Sequence, residues 1–257
     1  MLSVRIHQST GTITLENTQR CNALSRNLIG QLKEALDDLR QERKVRGIVI
    51  AGAGAHFCSG LDMKELKESA ESEEAMQEWF HLAQAAQSLL EQILQSPKPI
   101  IAAVDGAALG TGFGLVLACD LVVASHRAEF AVPATKLGLV SGLVAPLLQF
   151  RGGASTAARM MIGGQQLGAA ELKGLNLVHH VVEPEQVWVR ASTWVDEMSE
   201  SAAEAIQLTK RVLNEMVGEN LSTLFASGGA AMATSLTTEA ATEGLKAFSE
   251  HRKPQFP

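Results

Sequence analysis

Three short runs constrain the fold of this chain more than any other feature: VRGIVIAG (45–52), PIIAAV (99–104) and DLVVAS (120–125). Each is apolar at consecutive rather than alternate positions, as in a parallel strand covered on both faces. The first two lead into small-residue loops, AGAHFCSGLD and GAALGTGFG, and helical periodicity resumes after each loop. Covered strands alternating with helices make an α/β fold.

The remaining segments fit around this frame. Residues 2–6 and 12–15 read as strands, with Gly11 as the turn between them. Ser25 caps a helix that carries Leu28, Leu32, Leu36 and Leu39 on one face. Asp62 and Glu65 form a D-x-x-E capping box. The spacing predicts a helix over 73–95 with Met76, Phe80, Ala83 and Leu90 inward, and a small-residue helix over 112–118. The polar stretch 64–78 is either a solvated helix face or a mobile flap. From about residue 154 the chain is mostly helical, with amphipathic patterns at 201–217 and 235–250.

Composition excludes several classes of function. Of 257 residues, 46% are hydrophobic, enough for a full core. Lys plus Arg is 22 against 28 Asp plus Glu, a net charge of −6, and no basic stripe stands out, which argues against nucleic-acid binding. Cys21, Cys58 and Cys119 are few and far apart, pointing to a reducing, cytoplasmic setting with no metal site. No run reaches the length of a membrane span, and the opening MLSVRIHQ lacks the apolar region of a signal peptide. The dinucleotide reading fails too. After IVIAGAG the third glycine falls at Phe57, and GTGFG has the wrong spacing.

The two small-residue loops carry the chemistry. HFCSGLD and ALGTGFG each follow a buried strand near a helix start, where backbone N–H groups are left unpaired. Two such loops on neighbouring strands can converge on one oxygen and stabilise it as an oxyanion. The alternative is that these glycines only permit close helix–sheet packing.

AHFCSGLDMKEL, VDGAALGTGFGLVLACDLVVAS, FAVPATKLGL and EGLKAFSEHRKPQF, with RCNAL near the start, resemble the crotonase, or enoyl-CoA hydratase/isomerase, family in order and spacing. The resemblance implies a ββα spiral core over 1–195 and a C-terminal helical trimerisation region over 196–257, in a homotrimer or dimer of trimers. It implies an acyl-CoA thioester as the ligand, with coenzyme A entering as part of the substrate and no permanently bound cofactor. RNA binding, known for one branch of the family, is opposed by the acidic balance, so neither nucleic acid nor membrane is expected as partner. Leu61 and Thr111 then supply the two oxyanion N–H groups. Gln19, Arg20, Ala23, Ser59, Gly60, Asp62, Met63, Gly110 and Pro133 match substrate-binding positions, with Arg20 near the nucleotide phosphates. Lys246, Arg252 and Lys253 are cationic candidates for the coenzyme.

The departures are as informative. The family's two hydratase glutamates fall at Gly114 and Ala134, so both carboxylates are absent. VSGLVAP (140–146) departs from the family's P-G-x-G-G at Ser141 and Val144. Asp62, Asp105, Asp120, Glu78 and His81 are weighed as replacement acid–base groups, and the hydroxyls of Thr111, Thr135 and Ser141 as groups that order water. Asp62, Asp105 and Asp120 also have structural readings, and Cys58 and Cys119 read as core residues. The nominal activity is enoyl-CoA hydration or isomerisation. The alternatives are a non-catalytic thioester-binding or assembly subunit, or divergent chemistry such as decarboxylation, which makes an enolate without removing a proton.

Overall fold

The computed structural model describes residues 1–70 and 72–256, and only the backbone of 215–219. It opens with an antiparallel hairpin, β1 (Leu2–His7) and β2 (Thr10–Leu15). The turn lies at Gln8, φ 51°, and not at Gly11. Gly11 sits inside β2 opposite Ile6, where a Cβ would stand 2.8 Å from the Leu39 side chain. That glycine serves helix packing rather than chain reversal. The helix concerned is α1 (Arg26–Gln41), whose Leu28 N–H donates to Ser25 Oγ at 3.1 Å. Its leucine face is buried as the periodicity predicts.

A spiral of strand–strand–helix units follows. Its first turn is β3 (Gly47–Gly52), β4 (His56–Cys58), α2 (Met63–Ser69) and α3 (Ala75–Gln95). The second is β5 (Ile100–Val104), β6 (Ala107–Leu109) and α4 (Thr111–Ala118). The third is β7 (Leu121–Ser125), β8 (Glu129–Ala131), a 3-10 turn (Pro133–Leu137) and α5 (Val144–Met161), which breaks at Gly153. Then β9 (Leu167–Gly168), α6 (Ala169–Gly174) and β10 (His180–Val182) close the core. Each turn places one strand in a six-stranded sheet ordered β1-β2-β3-β5-β7-β10 and one in a four-stranded sheet ordered β4-β6-β8-β9. Glycine makes the change of sheet possible. Gly106, φ +71°, passes so close to Ala55 that any Cβ would strike its carbonyl oxygen.

Three helices complete the chain: α7 (Val187–Ser199), α8 (Ala203–Ser235) and α9 (Glu239–Ser249). Val187, Ala191 and Val195 of α7 cover the outer face of the large sheet, against Val49, Ile101 and Val123. Lys210 of α8 is buried, and its ammonium donates to the carbonyls of Ile93 and Lys98, both at 3.1 Å, and to Asp120 at 2.8 Å.

Two helical patterns differ from expectation. In α3, Ala83 and Leu90 point inward, but Met76 and Phe80 are exposed. The buried stripe runs instead through Trp79, Leu82, Ala83, Ala86 and Leu90, and Trp79 Nε1–H donates to buried Ser69 Oγ at 2.8 Å. In the 201–217 pattern, Leu208, Val212 and Leu213 face outward while Lys210 faces in, and the side chains of 215–217 lie outside the described residues. The stretch 64–78 forms α2 and the start of α3, with Leu66 buried and Lys64, Glu68 and Glu74 exposed; Glu71 lies outside the described residues. Among the described residues no helix is long and apolar enough to cross a membrane.

Candidate functional site

Two loops meet at one end of the small sheet. β4 and β6 are parallel neighbours, with Cys58 beside Ala108. Each runs into a glycine at positive φ, Gly60 at +93° and Gly110 at +50°, a region open to glycine at little cost. A Cβ on Gly60 would stand 3.3 Å from the Thr111 nitrogen, and one on Gly112 would strike the Cys58 carbonyl. The two turns therefore touch through backbone alone.

The amides that follow the glycines are left unpaired. Leu24 forms a parallel bridge beside Leu61, its N–H donating to Gly60 O at 2.7 Å and its carbonyl accepting from Asp62 N–H at 3.2 Å. In such a bridge the intervening residue points its own N–H to the opposite side. Thr111 is the first residue of α4, whose opening amides have no partner within the helix. Among the described residues, no backbone carbonyl accepts from either amide.

Both loops border a pocket of about 90 Å3. Ser59, Gly60, Leu61, Met63, Gly110, Thr111, Pro133 and Ala134, eight positions singled out in the sequence, line it together. The other walls come from Leu66, Leu137, Leu139, Val140, Met232 and Leu236. Ser141 contributes a hydroxyl, and among the described residues no ionisable side chain lines the pocket.

The remaining sequence candidates fall elsewhere. Gly114 is buried in α4, and its open side faces Val144 at 3.4 Å and Leu90 at 3.9 Å. The segment around Ala23 does run beside the first loop, since Ser59 N–H donates to Cys21 O at 3.0 Å. Gln19 is exposed. Arg20 turns back onto Asp62, at 2.6 Å. Asp62 is 3% exposed and its carboxylate is fully engaged. One oxygen accepts from Lys64 N–H at 3.0 Å and Glu65 N–H at 3.3 Å, the other from Arg20. The capping box is only half formed, because the Glu65 carboxylate accepts from Arg26 N–H at 3.0 Å instead.

None of the weighed acid–base replacements reaches the pocket. Asp105 is held below the usual carboxylate range, chiefly by its hydrogen bond from Arg127, at 2.7 Å to Oδ1. Asp120 accepts from Ile100 N–H at 2.7 Å as well as from Lys210. Glu78 pairs with Arg26 at 3.2 Å, His81 is exposed, and the Thr135 hydroxyl donates to Met161 O at 3.2 Å. Burial pushes the Cys58 and Cys119 thiols up to about 12, so neither ionises near neutrality. Arg252 is clamped by Glu243 at 2.5 Å and Glu250 at 2.6 Å, while Lys246 and Lys253 are exposed. Among the described residues, no three His, Cys, Asp or Glu side chains gather as a metal site would need.

Val140 belongs to the 140–146 loop, which borders the acyl site in the family that the sequence resembles, whereas Leu66, Leu137, Leu139, Met232 and Leu236 had no signal as pocket residues. Each reads as ordinary core or helix-face hydrophobicity, and only chain folding brings α8 over the loops.

The fold and the paired loops define a crotonase-type protein. A family model described as enoyl-CoA hydratase/isomerase matches residues 5–257, and the chain belongs to that family. The mouse mitochondrial methylglutaconyl-CoA hydratase is 33% identical, with 91% of this chain and 75% of that protein covered. The human mitochondrial enoyl-CoA hydratase domain-containing protein 2 is 31% identical, covering 97% of this chain and 86% of that one. An enoyl-CoA hydratase structure from Mycobacterium avium subsp. paratuberculosis superposes with a TM-score of 0.86 at 26% identity, over 100% of this chain and 98% of the other.

Proposed function

We propose that this chain binds an acyl-CoA thioester and holds its carbonyl oxygen between the Leu61 and Thr111 N–H groups. The supporting observation is the meeting of two loops whose unpaired amides border one apolar pocket. The donors are backbone, so Leu and Thr side chains at these positions leave them intact. One such donor contributes about 2.7–4 kcal/mol towards an enolate-like transition state.

Proton transfer is where the site departs from a standard hydratase. A positioned acid or base contributes about 10²–10⁴-fold. Both usual positions are empty of carboxylates: Ala134 opens onto the pocket with a methyl group, and Gly114 faces Leu90 and Val144. Hydration or isomerisation by the wild-type chain is therefore expected to be slow. Decarboxylation needs no base, but it brings a carboxylate into a pocket with no cation to receive it. The pocket's lack of ionisable groups also favours a second reading, a thioester-binding or assembly subunit without turnover. In either reading coenzyme A arrives with the acyl group. Arg20 pairs with Asp62 yet stays exposed, so Arg20, Lys246 and Lys253 are the cationic candidates for its phosphates.

The outward Leu208, Val212 and Leu213 of α8 support self-association as a homotrimer or dimer of trimers. The three unpaired cysteines support a reducing, cytoplasmic setting.

The test is mass spectrometry of crotonyl-, 3-enoyl- and malonyl-type CoA thioesters incubated with the protein in D2O. The expected result is thioester binding with little hydration, and faster α-proton exchange in Ala134→Glu. Rapid hydration by the wild type would overturn the missing-carboxylate argument. Absence of thioester binding in folded protein would overturn the proposal itself.

A further inference from the structure

The pocket has a far wall that the two loops do not make, and that wall comes from the C-terminal part of the chain. Met232 and Leu236 of α8 close it, facing Met63 and Leu66 of α2 and the 137–141 segment. Both α8 residues are almost wholly buried. We propose that Met232 sets the length of the acyl group this pocket accepts, and that this group is an uncharged hydrocarbon. The inference rests on the thioester reading above and specifies the substrate for that same site.

The wall is held at a fixed distance. Gly142 and Gly228 meet backbone to backbone, so closely that a Cβ on either would strike the other's carbonyl. Ser235 Oγ donates to Met232 O at 2.7 Å and accepts from Val140 N–H at 3.2 Å, tying α8 to the adjoining loop. On the other side, Gly244 of α9 lies against the Leu137 carbonyl with no room for a Cβ. With α8 pinned at Gly228 and Ser235, and the 137 segment held by α9, α8 neither retreats for a long acyl chain nor advances on a short one. Depth is then set by the side chain at 232. Methionine, unbranched and flexible, closes the space without demanding one ligand shape.

The exclusion of charge follows from the lining. Leu66, Leu137, Leu139, Val140, Met232 and Leu236 offer a carboxylate nothing, and the hydroxyls of Ser59, Thr111 and Ser141 offer only neutral partners. Neither Arg20, paired with Asp62, nor Arg26, paired with Glu78, lines the pocket. A carboxylate entering here loses water without gaining a counter-ion, which is costly.

The experiment is calorimetric titration of acetyl-, butyryl-, hexanoyl-, octanoyl-, malonyl- and succinyl-CoA into the wild type, Met232→Ala and Met232→Phe. Circular dichroism confirms that each protein is folded, and Met232→Leu serves as a milder variant should either of the others fail to fold. The expected wild-type affinity peaks at one chain length. Met232→Ala moves the peak to longer chains, while Met232→Phe moves it to shorter ones and Met232→Leu changes its position least. Malonyl- and succinyl-CoA are expected to bind about tenfold or more weakly than uncharged thioesters of similar length. One length profile shared by all the variants, or equal binding of charged and uncharged acyl groups, would overturn this proposal and leave the thioester reading standing. Failure of every thioester to bind the wild type would overturn both.

Discussion

The two amide-bearing loops do the same geometric work and are held by opposite means. The loop before Leu61 is tied by polar groups: Asp62 caps α2, Arg20 closes on Asp62, and Leu24 bridges both sides of the turn. The loop before Thr111 is tied by the absence of side chains. All of α4 is buried, and Gly112 lies against the backbone of β4. A polar clamp yields by degrees when a charge is removed. A glycine contact fails as soon as one methyl group is added.

That contrast can be broken most sharply at Gly112. Gly112→Ala puts a Cβ onto the Cys58 carbonyl and within 2.8 Å of its sulfur, and neither is a flexible chain end that can move aside. A stability loss of about 3 kcal/mol is expected in urea titration, with thioester binding lost as well. Asp62→Ala on the other loop removes a cap and is expected to cost about 1–2 kcal/mol. Arg20→Gln is expected to lower the urea midpoint least of the three, because the side chain is 44% exposed and water replaces much of what it gives. If Arg20→Gln proved as damaging as Gly112→Ala, the distinction between the two supports would fall.

Gly114 sharpens the comparison from within one helix. Two residues beyond Gly112, its open side meets Val144 only at 3.4 Å, an ordinary contact. Gly114→Ala is expected to stabilise the protein by about 0.5–1 kcal/mol, read as a raised urea midpoint. A smaller effect concerns the thiols. Cys58 and Cys119, with their thiols pushed up to about 12 by burial, are expected to resist alkylation at pH 8 in the native state, whereas half-buried Cys21 reacts. Labelling of Cys58 then reports opening of the first loop. The smallest effect is at the C-terminus. Arg252 and the Gln255 amide hold Glu243 at about 2, against its ordinary 4.5. This anchor is complete above pH 4.5 and is lost as pH falls towards 2, so hydrogen exchange over residues 250–256 is expected to quicken in that window.

Much of the fold was legible because its signals are local. The Ser25 cap, the leucines of α1 and the apolar runs of β3, β5 and β7 each declare themselves within one element. The loops that bring Leu61 and Thr111 together were legible too, since a glycine after a buried strand is a local pattern. The misreadings share a cause. Gly11 looked like a turn because its tertiary neighbour, Leu39, lies 28 residues away in the chain. Met76 and Phe80 looked like core because two helical stripes of α3 carry apolar residues, and only the packing of Trp79 against Ser69 shows which one faces in. The Arg20–Asp62 pair was equally out of reach of local reading, because the two lie 42 residues apart in the chain.

The sequence by itself determined the family, the strand–helix alternation and the identity of what is missing, since Gly114 and Ala134 carry no carboxylate wherever they fold. Covalent identity and local periodicity need no partner to be expressed. Tertiary structure alone decided that the pocket is closed by Met232 and Leu236, that Asp62 and Arg20 satisfy one another, and that the space beside Gly114 is occupied by Val144 and Leu90. Those outcomes depend on which surfaces meet after the spiral has closed, and glycine contacts such as Gly142 with Gly228 decide how closely they meet.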